Sequence, residues 1–168
     1  MEDASEKYDF SRKDAAYAQL AQDLAALLAG ESDLIANAAN MAALLFDALP
    51  DVNWAGFYFL KGGELIVGPF QGKPACVRIP IGRGVCGAAV AQRMPIVVPD
   101  VHAFPGHIAC DGASRSEIVI PITAGGAVVG VLDIDSPSLE RFDEADLRGL
   151  TRLLEVFSTS TRLPGGAG

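Results

Sequence analysis

Three cysteines, Cys76, Cys86 and Cys110, and three acids, Glu117, Asp133 and Asp135, are the residues of this sequence whose types and spacing could do chemistry. Cys110 lies in the polar, glycine-bearing stretch GHIACDGASRSEIVIP, just ahead of a β-branched run. A loop leaves a sulfur reachable while an adjoining strand fixes its neighbours, and the thiolate is the form that does sulfur chemistry. Cys76 closes a second Gly/Pro-rich stretch, GPFQGKPAC, which reads as a loop from Gly68 to Cys76. Cys86 falls in the first turn of a short predicted helix, Gly84 to Arg93, where free N–H groups and the helix dipole favour a thiolate. A solitary cysteine is commonly just a small buried hydrophobe, so the thiols alone decide little.

The acids carry a separate signal. Asp133 and Asp135 interrupt a run, VVGVLDID, that otherwise reads as core. Buried carboxylates repel one another unless something cationic or protonated is supplied, and a ligand ammonium would supply it. Whether Glu117 joins them depends on hairpin register. A two-residue loop of Gly125 and Gly126 would set Glu117 across from Ile134; a three-residue loop beginning at Ala124 would set it across from Asp133. The second register is the expected one, and it points all three acids to one face.

The elements that must hold these residues follow in order. Arg12 to Leu28 reads as a helix stopped by Gly30. Ser32 is a candidate cap for the next, which has apolar residues at helical spacing from Leu34 to Leu49 and ends at Pro50. Trp54 to Leu60 and Glu64 to Val67 read as a hairpin, with Trp54, the single tryptophan, at a strand end where it can wall a pocket. A short strand from Val77 to Ile79, the short helix, and Met94 to Val98 follow. The connection to Ser116 is long and irregular, as binding loops often are, and holds His102 and His107. Glu117 to Thr123 and Val128 to Ile134 make the second hairpin, and an amphipathic helix from Asp143 to about Thr159, opened by Ser138, Asp143 and Glu144, closes the fold. The expectation is an α+β domain over residues 1–163, a central antiparallel sheet with helices packed mainly on one side, then a flexible tail, 164–168.

Composition excludes several classes. A formal net charge of -8 argues against nucleic acid or an anionic membrane as partner. No stretch reaches the roughly 18 apolar residues of a membrane span, and the acidic start MEDASEKYDF is unlike a secretory signal, so a cytoplasmic protein is expected. Three cysteines at wide spacing suit neither a disulfide framework nor a paired zinc site, and no cofactor or metal is called for. Gly82, Gly84 and Gly87 lack the strand, lysine and acid that a nucleotide loop needs. The residues specify a redox or acyl-type cysteine enzyme acting on a small cationic or zwitterionic molecule. A cysteine hydrolase would need His107 as the partner of Cys110.

From about Tyr17 to Phe157 the sequence resembles the free methionine-R-sulfoxide reductases, which are stand-alone GAF domains. The resemblance rests on NWAGFYFL, GPFQGKPACVRIPIGRGVCG, PDVHAFPGHIACD and GVLDIDSPSLERFDEAD, with the three cysteines ten and then twenty-four residues apart. It implies a GAF-like fold and thiol-dependent reduction of free L-methionine (R)-S-oxide. It further implies that Cys110 is the nucleophile, Cys76 the resolving thiol, and Cys86 a participant in or relay of the disulfide, with thioredoxin as reductant. Glu117, Asp133 and Asp135 would hold the substrate ammonium and, with one carboxyl protonated, hydrogen-bond the sulfoxide oxygen as it becomes a leaving water, and Trp54 would pack on the methyl end. A homodimer is compatible with this. The alternative is a non-catalytic GAF small-molecule or redox sensor, which would act only through a partner.

Overall fold

The computed structural model describes residues 7–165; the first six residues of the acidic N-terminus and the last three of the expected tail lie outside it. Asp9 caps a single 3-10 turn, Phe10–Arg12, which runs into helix α1, Lys13–Leu27. The next helix, α2 (Leu34–Ala48), is capped by Asp33 and not by Ser32: the Asp33 carboxylate accepts from the Ala36 N–H, satisfying one of the free donors of the first turn.

Six strands form one antiparallel sheet. In chain order they are β1 (Trp54–Lys61), β2 (Glu64–Gly72), β3 (Arg78–Pro80), β4 (Ile96–Val98), β5 (Ser116–Ala124) and β6 (Ala127–Ser136), and their spatial order is β3-β2-β1-β6-β5-β4. β2 extends to Gly72, so Gly68 to Gly72 is strand where a loop was expected. Gly68 and Pro69 sit at a bulge opposite Phe57, which is how a residue without an N–H enters a ladder.

Strand alternation divides the molecule. Ala55, Phe57 and Phe59 of β1, Ile118, Ile120 and Ile122 of β5, and Leu132 and Ile134 of β6 face α1, α2 and the last helix, α4 (Glu144–Ser160). The opposite face carries Trp54, Tyr58, Val119 and Val131, covered by the short helix α3 (Gly84–Gln92) and the long loops. Helices therefore pack mainly on one side, as expected. α4 opens with a capping box between Asp143 and Asp146. The fully buried Asp146 also accepts from the Tyr17 hydroxyl at 2.7 Å and pairs with Lys13 at 2.7 Å and Arg141 at 3.2 Å, so its charge is met by two residues of α1 and one of the loop before α4. Among the described residues no helix is long and apolar enough to cross a membrane.

Candidate active site

The second hairpin adopts neither register considered from the sequence. Its turn is the two-residue Gly125-Gly126 form, both glycines at positive φ, with Ala124 opposite Ala127. A bulge then adds one residue to β6 between Ile122 and Thr123 of its partner, and every later pair moves by one. Glu117 thus stands across from Asp135, and Val119 from Asp133. The expected pairing of Glu117 with Asp133 is corrected, while the expected consequence survives: all three acids point to the α3 side and line one cavity.

The sheet floors that cavity and the loops wall it. Trp54, at the first position of β1, is 3% exposed and stacks on Phe70 and Tyr58 with ring centroids 5.1 and 5.8 Å apart. Pro74 and Ala75 before Cys76, and Cys110 with its neighbours Ile108 and Asp111, line the cavity, and Cys76 and Cys110 are joined by a disulfide with their Cα atoms 5.5 Å apart. Cys86, from the first turn of α3, is free and buried, its Sγ 4.0 Å from Glu117 Oε1.

The loops are tied to the sheet by side chains. Trp54 Nε1 donates to the Lys73 carbonyl at 3.2 Å, and the Tyr58 hydroxyl to the Cys76 carbonyl at 3.1 Å. Asn53 Nδ2 donates to Asp111 Oδ2 and Ser114 Oγ, both at 3.1 Å, on the far side of Cys110. Tyr58, Asp111, Ser114 and Asn53 were not singled out from the sequence. Tyr58 was accessible to strand periodicity, being four residues from Trp54 and so on the same face. The polar loop residues carried no such signal. Of the two histidines, His107 lines the cavity with Nε2 3.8 Å from Glu117 Oε2, whereas His102 is exposed beside Asp100.

The electrostatics are dominated by burial. Burial pushes Glu117 well above the usual carboxyl range, and the charges of Asp133 and Asp135 add to it. Burial raises Asp135 in the same way, with Asp133 and Asp111 contributing. Asp133 is raised by burial to about 6, against hydrogen bonds from Glu117 and Cys86 that favour its charged form. Burial also lowers His107, assisted by His102. The expectation of a Cys86 thiolate is overturned: burial, then the nearby Asp133, Glu117 and Asp135, lift its pKa, and these outweigh the helix N-terminus. Asp133 Oδ1 is buried with no hydrogen-bond partner among the described residues. Cys86, Glu117 and Asp133 offer donor atoms within 4.8 Å of one another, so a single positive charge placed there would serve all three.

A cleft with an apolar wall, a floor of three acids and one cysteine of a disulfide in its lining suits a small zwitterion and thiol chemistry. The GAF domain family model matches residues 36–159. The chain is 55% identical over 138 residues to the free methionine-R-sulfoxide reductase of Escherichia coli (strain K12), covering 82% of this chain and 84% of that protein. It superposes with TM-score 0.83 on the fRMsr of Staphylococcus aureus in complex with substrate, at 51% identity, covering 86% of this chain and 94% of the other. It superposes with TM-score 0.87 on the free methionine-R-sulfoxide reductase of Neisseria meningitidis in complex with its substrate, at 44% identity, covering 91% and 92% of the two chains.

Proposed function

Since the chain belongs to the GAF-domain family of free methionine-R-sulfoxide reductases, we propose that it reduces free L-methionine (R)-S-oxide to methionine through Cys110, Cys76 and an external dithiol. The observation that carries this is a Cys76–Cys110 disulfide whose Cys110 lines the same cavity as Glu117, Asp133 and Asp135.

In the reduced enzyme the Cys110 thiolate attacks the sulfoxide sulfur. A carboxyl of the acid cluster donates a proton to the sulfoxide oxygen, the S–O bond breaks as that oxygen passes to Cys110 as a sulfenic acid, and methionine leaves. Burial raises the pKa of Glu117 and Asp135, which favours the protonated form that a proton donor needs. The Cys76 thiol then displaces the sulfenic oxygen as water and forms the disulfide. Thioredoxin, in a reducing compartment such as the cytoplasm, returns both thiols by exchange. The acid cluster holds the substrate ammonium, and Trp54 packs on the methyl end. Cys86, buried and protonated, is an auxiliary thiol and not the attacking one.

The test is NADPH oxidation coupled through thioredoxin and thioredoxin reductase, with the R and S epimers offered separately to wild type and to Cys110→Ser. Turnover of the R epimer alone, absent in the variant, supports the reading. Binding without turnover would make the chain a sensor.

A further inference from the structure

We propose that Tyr58 is a positioning residue for the second half-reaction: its hydroxyl holds the backbone of Cys76 where a sulfenic acid on Cys110 can be captured. This rests on the reading of the chain as a reductase and deepens it.

The segment from Lys73 to Val77 has no regular secondary structure, yet it must deliver one thiol. Its two ends are held, Lys73 by the Trp54 indole N–H at 3.2 Å and Val77 by the Val67 N–H, which donates to its carbonyl at 3.0 Å. Between them, Cys76 itself is held by the Tyr58 hydroxyl at 3.1 Å. In the oxidised form the disulfide also restrains this residue. Reduction removes that covalent link, and the hydrogen bond to its carbonyl is what then keeps Cys76 close to Cys110. The donor is itself rigid: the Tyr58 ring is 2% exposed and stacked on Trp54. The Cys110 side is anchored separately, through Asn53 to Asp111 and Ser114. Loss of the Tyr58 donor therefore acts on the capturing thiol and leaves the anchoring of the nucleophile's loop in place.

In the step concerned, Cys76 sulfur attacks the sulfenic sulfur of Cys110. The S–S bond forms, the S–O bond breaks, and hydroxide leaves and takes up a proton to become water. The rate depends on the effective concentration of one sulfur at the other, which is what a tether sets.

Tyr58→Phe keeps the ring and its stacking and removes only the donor. Fully reduced protein is given one equivalent of hydrogen peroxide, which makes the sulfenic acid without any sulfoxide chemistry. In a parallel series it is given free methionine (R)-sulfoxide. Samples are quenched over time with dimedone, and mass spectrometry counts the Cys110 adduct and the Cys76–Cys110 disulfide. Closure of the disulfide is expected to slow by about tenfold, the worth of one ordinary hydrogen bond, with the adduct rising as the disulfide falls. Closure at the wild-type rate, or slow closure with no adduct, would overturn the proposal. Trp54→Phe, which removes the donor to Lys73, is expected to slow closure less; an equal or larger effect would give the role to Trp54 instead. If wild type releases no methionine from the sulfoxide but the peroxide series still separates the two proteins, the reductase reading falls and the role of Tyr58 stands.

Discussion

Glu117 on β5 stands directly across from Asp135 on β6, and both side chains share the cavity floor with Asp133. Like charges directly opposite in a ladder are destabilising unless protons or a cation intervene. The arrangement therefore stores a demand for positive charge.

Substrate choice should depend on a free ammonium. N-acetylmethionine (R)-sulfoxide, or the sulfoxide within a peptide, is expected to lose more than about a hundredfold in kcat/KM, because an acid pair left without its partner in a buried site costs on the order of 3 kcal/mol or more. Asp135→Asn should narrow that gap. Equal turnover of the free and acetylated substrates would remove the ammonium from the account.

Stability of the unliganded protein should fall as pH rises from about 4, where unfolded carboxyls ionise, through 6. Asp133 in the fold holds its proton to about 6, and Glu117 is also raised, so in that window the native state binds more protons than the unfolded one and the slope is negative. The groups facing Asp133 are Glu117 on β5, Asp135 on β6, Cys86 on α3 and Tyr58 on β1, with His107 and Asp111 from the long loop. At the acid end Asp143 acts oppositely: the Lys13 ammonium holds it down at about 2, so its contribution is present above about 4 and is lost as pH falls through about 2. Its side chain is 58% exposed, so that second effect is small. Thermal midpoints from pH 2 to 8 for wild type and Asp133→Asn check both signs, with a shallower fall above pH 4 expected for the variant.

The thiols should separate by step. Cys76→Ser is expected to release about one methionine per enzyme and then stall with thioredoxin as reductant, because the sulfenic acid has lost the thiol that captures it. Cys86→Ala should not abolish the first turnover, since a buried thiol with a raised pKa is a poor nucleophile. Rapid-quench measurement of methionine against enzyme distinguishes them; loss of the first turnover in Cys86→Ala would reverse the assignment of nucleophile.

A purely structural prediction concerns the helical layer. Gly149 of α4 lies against the ring of Tyr17 in α1, so closely that an added Cβ would collide with it. An exposed helical Gly→Ala change gains up to about 1 kcal/mol, but here overpacking should reverse the sign and cost about 1–3 kcal/mol. Urea denaturation of Gly149→Ala, with an unchanged m-value, checks the direction.

Much of the fold was legible because its signals are local. Helical spacing in Leu34–Ala48, glycine pairs at 62–63 and 125–126, and strand alternation in β1, β5 and β6 depend on near neighbours, and the elements lie where those patterns place them. The errors also have local causes. Asp33 outcompeted the adjacent Ser32 because its carboxylate reaches the Ala36 N–H. β2 passed through Gly68 and Pro69 because a bulge tolerates them.

For the site, the residue types alone put Cys76, Cys86, Cys110, Glu117, Asp133, Asp135 and Trp54 forward, since a thiol outside a disulfide framework and carboxylates inside an apolar strand conflict with their surroundings whatever the fold. The tertiary structure decided how they are used. A single extra residue in β6 sets Glu117 against Asp135. Packing of α3 on the sheet buries Cys86 among acids and cancels the advantage of its helix N-terminus. Tyr58, Asn53 and His107 acquire their partners only when loops distant in sequence close over the sheet. Burial and cross-strand register belong to no single stretch of chain: each is a sum over neighbours brought in from elsewhere, and it sets the charge a side chain carries and the atom it meets.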